Sequence, residues 1–138
     1  MCGMVLIYIG AGPRWLPPSE VLNLFAVILT WAGVLFSIWA RAILGRNWSS
    51  SVTLKKEHEL ILTGPYSKVR NPIYTGMLLC GLGVVVATGT MDAAAGYLIA
   101  FAALLRKSLI EQRMLTAHFG EEYSAYRRKT KLLIPYVF

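Results

Sequence analysis

From Val21 to Ala40 the chain runs twenty residues without a charge, VLNLFAVILTWAGVLFSIWA, and eleven of them are Val, Leu, Ile or Phe. A bilayer core of ~30 Å takes ~20 helical residues. Those eleven side chains favour insertion by roughly 3 to 7 kcal/mol before the polar terms, so the stretch predicts a membrane-spanning helix. A second uncharged run, IYTGMLLCGLGVVVATGTM, covers nineteen residues from Ile73 to Met91. After Asp92 comes a third, Ala93 to Leu105, which reaches full length only if Arg106 and Lys107 extend their charged ends to the headgroups. The second and third runs predict a helical hairpin turning near Gly89–Asp92. Met1–Gly12 is apolar too, but spans only about 18 Å as a helix. Pro13, Pro17 and Pro18 stop it from continuing, so it predicts a half-length first membrane helix. Gly10-Ala11-Gly12 is no dinucleotide loop, because Trp15 stands where the third glycine is needed and no βαβ pattern follows.

Composition agrees with a membrane protein. Of the 138 residues, 56% are hydrophobic and 15% charged, against ~45–50% and ~25% in ordinary soluble domains. Two cysteines, Cys2 and Cys80, exclude a disulfide scaffold and read as small buried side chains. The predicted fold class is all-α: a polytopic helix bundle with three full spans, the short N-terminal helix and a cytoplasmic helical tail. The expected organisation is one domain, with membrane helices over 1–40, a cytoplasmic loop over 41–72, the hairpin over 73–112 and the tail over 113–138.

The formal net charge is +7, and thirteen of the fourteen Lys and Arg fall in the 41–70 loop or after residue 105, leaving only Arg14 on the opposite side. The positive-inside rule puts loop and tail in the cytoplasm. A basic patch joined to membrane spans points to anionic membrane lipids as partners, rather than nucleic acid. The Asn47-Trp48-Ser49 sequon is then on the wrong side for glycosylation.

Gly64-Pro65-Tyr66 is a turn signal, and Asn71-Pro72 is a helix start in which Asn caps free amides and Pro takes the first helical position. In a hairpin turning near residues 91–92, partners at equal depth have numbers summing to about 183. Arg70, Asn71 and Tyr74 should therefore meet Glu111 and Arg113 at the cytoplasmic edge of the bilayer. Ionisable groups held beside hydrocarbon are costly, so a pocket is expected there, with a headgroup-level salt bridge as the rival reading. Offsets of four, seven and eleven put Glu111, Leu115, His118 and Glu122 on one helical stripe if the helix continues through Gly120. With His58 the only other histidine and no cysteine pair nearby, no metal is expected.

The stretch LGRNWSSSVTLKKEHELILTGPYSKVRNPIYTGMLLCGLG, followed by IEQRMLTAHFGEEYSAYRRKTKLLIP, resembles the isoprenylcysteine carboxyl methyltransferase family and its relatives, the phospholipid N-methyltransferases. The resemblance covers about residues 40–135. Arg70 and Pro72 match an Arg-His-Pro triplet in which Asn71 replaces the His; Gly81 and Gly83 match a Gly-x-Gly eight residues later. Glu111 matches the first of a Glu-Glu pair and Gln112 replaces the second. FGEEYSAY at 119–126 and the Leu133-Ile134-Pro135 ending are also similar.

The resemblance implies an integral-membrane methyltransferase using S-adenosylmethionine. The expected cofactor-binding residues, from this mapping and from the hairpin geometry together, are Tyr66, Arg70, Asn71, Pro72, Tyr74, Gly81, Gly83, Glu111, Arg113 and His118. Such a donor needs aromatic or anionic neighbours for its sulfonium and charged partners for its zwitterion. Glu111 suits the ammonium or ribose, and Arg70 or Arg113 the carboxylate. The glycines read equally as small-residue helix packing with Gly76 and Cys80. A carboxylate acceptor is ionised at neutral pH and requires no base; an amine would need one, such as Glu122 or His118. Arg127 or Arg128 would hold an anionic acceptor group or lipid phosphate. With Glu122 they form the expected catalytic set. The acceptor is expected to be a lipid-like or small membrane-partitioning molecule.

The expected location is a bacterial inner membrane with the site facing the cytoplasm. A second copy could cover apolar flank left by the short first helix, which leaves a homodimer open. Two rivals remain: an NADPH-dependent sterol-reductase-like protein, which shares a Gly-Pro-Tyr…Arg-His-Pro segment, and a non-catalytic interaction protein derived from the family. On the methyltransferase reading, Glu111→Ala should abolish donor binding and Lys55→Ala should not.

Overall fold

A computed structural model describes residues 12–45 and 60–134. The expected N-terminal helix, the sequon, Lys55 and Pro135 lie outside the described residues. Among the described residues four α-helices follow one another: α1 (Glu20–Leu44), α2 (Pro72–Thr88), α3 (Met91–Phe119) and α4 (Glu121–Lys129), with a 3-10 turn over Gly64–Ser67 before α2. Among the described residues the only extended pairings are two isolated bridges, Arg14 with Thr90 and Val69 with Lys131.

The termini explain themselves. Glu20 lies in the first turn of α1 and Arg41 in its last, each complementing the helix dipole, and the Arg41 guanidinium donates to the Gly45 carbonyl at 3.2 Å. Pro72 opens α2, where its missing N–H costs nothing. The α2–α3 turn falls at Gly89, whose φ of 61° belongs to the left-handed region. Its N–H donates to the Val85 carbonyl at 2.8 Å, and its own carbonyl accepts from the Trp15 amide at 2.8 Å.

α1 and α3 are long and apolar enough to cross a membrane; α2, at 17 residues, is shorter, about 26 Å of helix against a ~30 Å core. Large apolar side chains face outward along the long helices, Val21 76% and Ile99 71% exposed, with Ile28, Trp31 and Leu98 similarly bare. A water-soluble chain rarely presents so continuous an apolar surface; this surface belongs in a bilayer. α3 differs from the expectation in running well past residue 112. The residues after Glu111 contain no breaker until Gly120, so the helix continues and only then stops.

The described chain falls into two compact units, residues 12–35 with 76–103, and residues 36–45 and 60–75 with 104–134. In the first, α1 and α2 approach through small residues. A Cβ on Gly33 would come within 2.5 Å of the Gly76 carbonyl, and one on Gly83 within 2.8 Å of the Ala26 carbonyl and against the Thr30 hydroxyl. Backbones this close need glycine on the contact face.

In the second unit the chain before α2 pairs with the segment after α4. The Arg70 amide donates to the Lys131 carbonyl at 2.8 Å, Lys131 returns a bond to Lys68 at 3.1 Å, and the Asn71 amide reaches Leu132 at 3.2 Å. Val69, Tyr123, Leu132 and Leu133 are buried beneath this pairing, Tyr123 at 2% exposure and Leu133 at 0%.

Candidate active site

The second unit brings the start of α2 against the later part of α3. Tyr74, in the first turn of α2, donates its hydroxyl to Glu111 Oε1 at 2.6 Å across 37 residues of sequence. Their numbers sum to 185, close to the register expected from a hairpin turning near residues 91–92. Lys107, one helical turn before Glu111, places its Nζ 4.0 Å from the same oxygen and 5.4 Å from the Tyr74 ring centroid. The three side chains form a half-buried triangle of carboxylate, ammonium and aromatic face, with Lys107 35% and Glu111 22% exposed. On the same turns of α3, Ser108 is fully buried. The Ser108 hydroxyl and the Gln112 side-chain carbonyl are both enclosed without a hydrogen-bond partner. Buried polar atoms are nearly always paired in native proteins, so two orphans flanking Glu111 are what a polar ligand would satisfy.

Arg70 and Asn71 turn elsewhere. Arg70 Nη1 donates to the Thr130 carbonyl at 2.6 Å and to the Arg127 carbonyl at 3.1 Å, closing free carbonyls at the end of α4 as a basic side chain can. Burial pushes the guanidinium below its usual range, Tyr123 opposes that, and Arg127 adds to it; it stays charged at neutral pH. The Asn71 side-chain amide donates to the Leu132 carbonyl at 3.4 Å, while its backbone carbonyl accepts from the Thr75 amide at 3.1 Å. The Asn71 side-chain amide thus ties the start of α2 to the C-terminal segment. Thr75 adds a very short bond from its hydroxyl to the Leu133 carbonyl.

Tyr66 and Pro72 are buried, and the Tyr66 carbonyl accepts the Tyr126 hydroxyl at 2.6 Å. Burial pushes both phenols well above the ordinary tyrosine range, so both remain neutral.

The remaining expected residues are not members of the triangle. Arg113 is exposed on α3; two positions on from Glu111 it points about 200° around the helix, away from that carboxylate. His118 is exposed near the end of α3, its ring edge-on to Phe119 at 4.7 Å. The stripe from Glu111 to Glu122 does not survive Gly120, whose φ of 56° ends α3 and starts α4 in a new direction. Glu122, Arg127 and Arg128 are exposed on α4, where Arg128 and Glu121 stand 4.0 Å apart. Gly81 and Gly83 belong to the first unit, where Gly81 faces the Tyr97 ring and Gly83 faces α1.

Lys107 is the member that sequence reasoning missed, being read only as a snorkelling charge. The i, i+4 spacing to Glu111 was the available signal. Among the described residues no group of three or more His, Cys, Asp or Glu could hold a metal ion.

Residues 21–122 match the family model described as phospholipid methyltransferase. The chain belongs to the phospholipid methyltransferase family. Among relatives, this family member is 34% identical over 97 residues to the cobalt-zinc-cadmium resistance protein CzcN of Cupriavidus metallidurans, covering 68% of this chain and 44% of that protein. It is 26% identical over 119 residues to the protein-S-isoprenylcysteine O-methyltransferase of Xenopus laevis, covering 84% and 41%. The solved eukaryotic intramembrane Ras methyltransferase ICMT shares its fold with a TM-score of 0.79 at 22% identity, over 86% of this chain and 43% of that one. The chain thus spans less than half the length of these proteins.

Proposed function

We propose that this family member is an S-adenosylmethionine-dependent methyltransferase of the membrane, acting on a carboxylate of a lipid-like or small membrane-partitioning acceptor. The observation that carries the reading is the Tyr74–Glu111 hydrogen bond, flanked by the unpartnered Ser108 hydroxyl and Gln112 carbonyl. The family supplies the reaction class, and the isoprenylcysteine methyltransferases among its relatives supply the acceptor class. In topology, α2 would be a third membrane crossing completed by its flanking residues, with the site on the cytoplasmic side, where the basic residues collect.

S-adenosylmethionine supplies an electrophilic methyl group on a sulfonium centre. The residues present fit such a donor. Glu111 offers a carboxylate to its ammonium, Tyr74 an aromatic face and a hydroxyl that fixes Glu111, and Ser108 and Gln112 hydrogen-bonding atoms not otherwise used. A carboxylate acceptor is already ionised at neutral pH, so the chain's task is to orient it and keep water away. Arg127 and Arg128, exposed at the end of α4, would hold the acceptor's anionic group or the neighbouring lipid phosphate, and Glu122 is left for an amine acceptor. Arg70, Asn71, Tyr66 and Pro72 would act indirectly, by fixing the chain that leads into Tyr74.

The test is incubation of membranes containing the protein with methyl-labelled donor and a lipid extract. Label in a product that releases methanol on mild alkali is expected, as for a carboxyl methyl ester. Label that resists alkali would overturn the carboxylate assignment, and no protein-dependent label would overturn the methyltransferase reading.

A further inference from the structure

We infer that Lys107 binds the carboxylate of the donor's amino-acid end while Glu111 binds its ammonium, the two side chains acting as a clamp for an α-amino-acid zwitterion. The inference rests on the proposed use of S-adenosylmethionine and names the partner that this reading still lacks.

A donor with a free amino-acid end brings one positive and one negative group on the same carbon. Arg70 has its Nη1 committed to the Thr130 and Arg127 carbonyls, at the end of α4. Arg113 lies on the far side of α3 from Glu111, and Arg106, one position before Lys107, is exposed. Lys107 alone among these shares a helix face with Glu111, at i, i+4.

Its ammonium is also positioned from outside its own helix, 5.4 Å above the Tyr74 ring, a cation–π distance. Tyr74 in turn holds Glu111 at 2.6 Å, so one aromatic side chain sets both charges. At 4.0 Å and partly exposed, the Lys107–Glu111 pair is loose. Pairs of this kind contribute little to folding. A zwitterion entering between the two charges would replace this long contact with two shorter charge-assisted ones.

The test is equilibrium binding to the purified full chain in detergent, using S-adenosylhomocysteine and its analogues lacking either the carboxylate or the amino group. Wild-type protein should prefer S-adenosylhomocysteine over the decarboxylated analogue by roughly 10- to 100-fold, the value of one charged hydrogen bond. Lys107→Met should bind both with equal, weak affinity, and Lys107→Arg should restore the preference. Glu111→Gln should lose discrimination against the analogue without the amino group. Retention of the full carboxylate preference by Lys107→Met overturns the clamp alone, while failure of wild-type protein to bind any of the three removes the clamp and the proposed function together. Unchanged binding of the decarboxylated analogue by Lys107→Met shows that the variant is folded.

Discussion

Replacing Arg70 with Met keeps most of the side chain's apolar stem but deletes the donors that close the end of α4. Its Nη1 makes bonds of 2.6 Å and 3.1 Å to the Thr130 and Arg127 carbonyls. A hydrogen bond to a charged group contributes about 1.5–3 kcal/mol. Because one nitrogen serves both carbonyls at a half-exposed position, the pair together contributes about 2–4 kcal/mol. The loss should act locally, on the pairing of residues 68–71 with 131–132, since that ladder is the next structure on either side of the guanidinium. In hydrogen-exchange measurements, the Arg70, Asn71 and Lys131 amides, which donate to Lys131, Leu132 and Lys68, should open roughly 30- to 1000-fold more often. The α1 amides between residues 21 and 35 should not change. Unaltered exchange at the three amides would refute the capping role, and a uniform increase along every helix would show that the residue supports the fold as a whole.

Gly83→Ala should lower thermal stability in detergent by about 1–3 kcal/mol, because its Cβ would stand 2.8 Å from a backbone carbonyl and 2.9 Å from a backbone amide of α1. Gly81→Ala meets only the Tyr97 ring at 3.1 Å and gains helix propensity, so it should be close to neutral; equal losses from both would contradict the packing described. Burial raises the Tyr66, Tyr123 and Tyr126 phenols above their ordinary range. Folded protein therefore holds these protons more tightly than unfolded chain, and their contribution is complete below pH ~10 and lost as pH rises beyond it. The melting temperature should fall increasingly steeply between about pH 9 and pH 11, less so for Tyr126→Phe, and a flat profile would exclude buried neutral phenols.

Much of the architecture was legible because the signals were long and strong. Twenty uncharged residues became α1, Pro72 did open α2, and the hairpin register carried Tyr74 to Glu111 within two residues. Charge patterning could not show where α3 ends. The sequence before Gly120 reads as helix whether it is membrane or tail, and only the positive φ at Gly120 decides that Glu122 leaves the Glu111 face. Arg70 and Asn71 read as ligand-facing in the sequence, and the structure adds bonds from Arg70 Nη1 and the Asn71 side-chain amide to the backbone carbonyls of Arg127, Thr130 and Leu132. Backbone acceptors carry no side-chain signature, so no spacing rule points to them. Lys107 was hidden for the opposite reason: a basic residue at the end of an apolar run has a sufficient explanation in headgroup contact, and its place over Tyr74 depends on α2.

The central claim is that Glu111, held by Tyr74, is the anionic anchor of a donor site. Titration calorimetry of S-adenosylhomocysteine into purified wild-type, Glu111→Ala and Lys129→Ala proteins tests it directly, Lys129 being exposed at the end of α4. The account predicts micromolar binding by wild type and Lys129→Ala, and none by Glu111→Ala. Equal binding by both variants would contradict it.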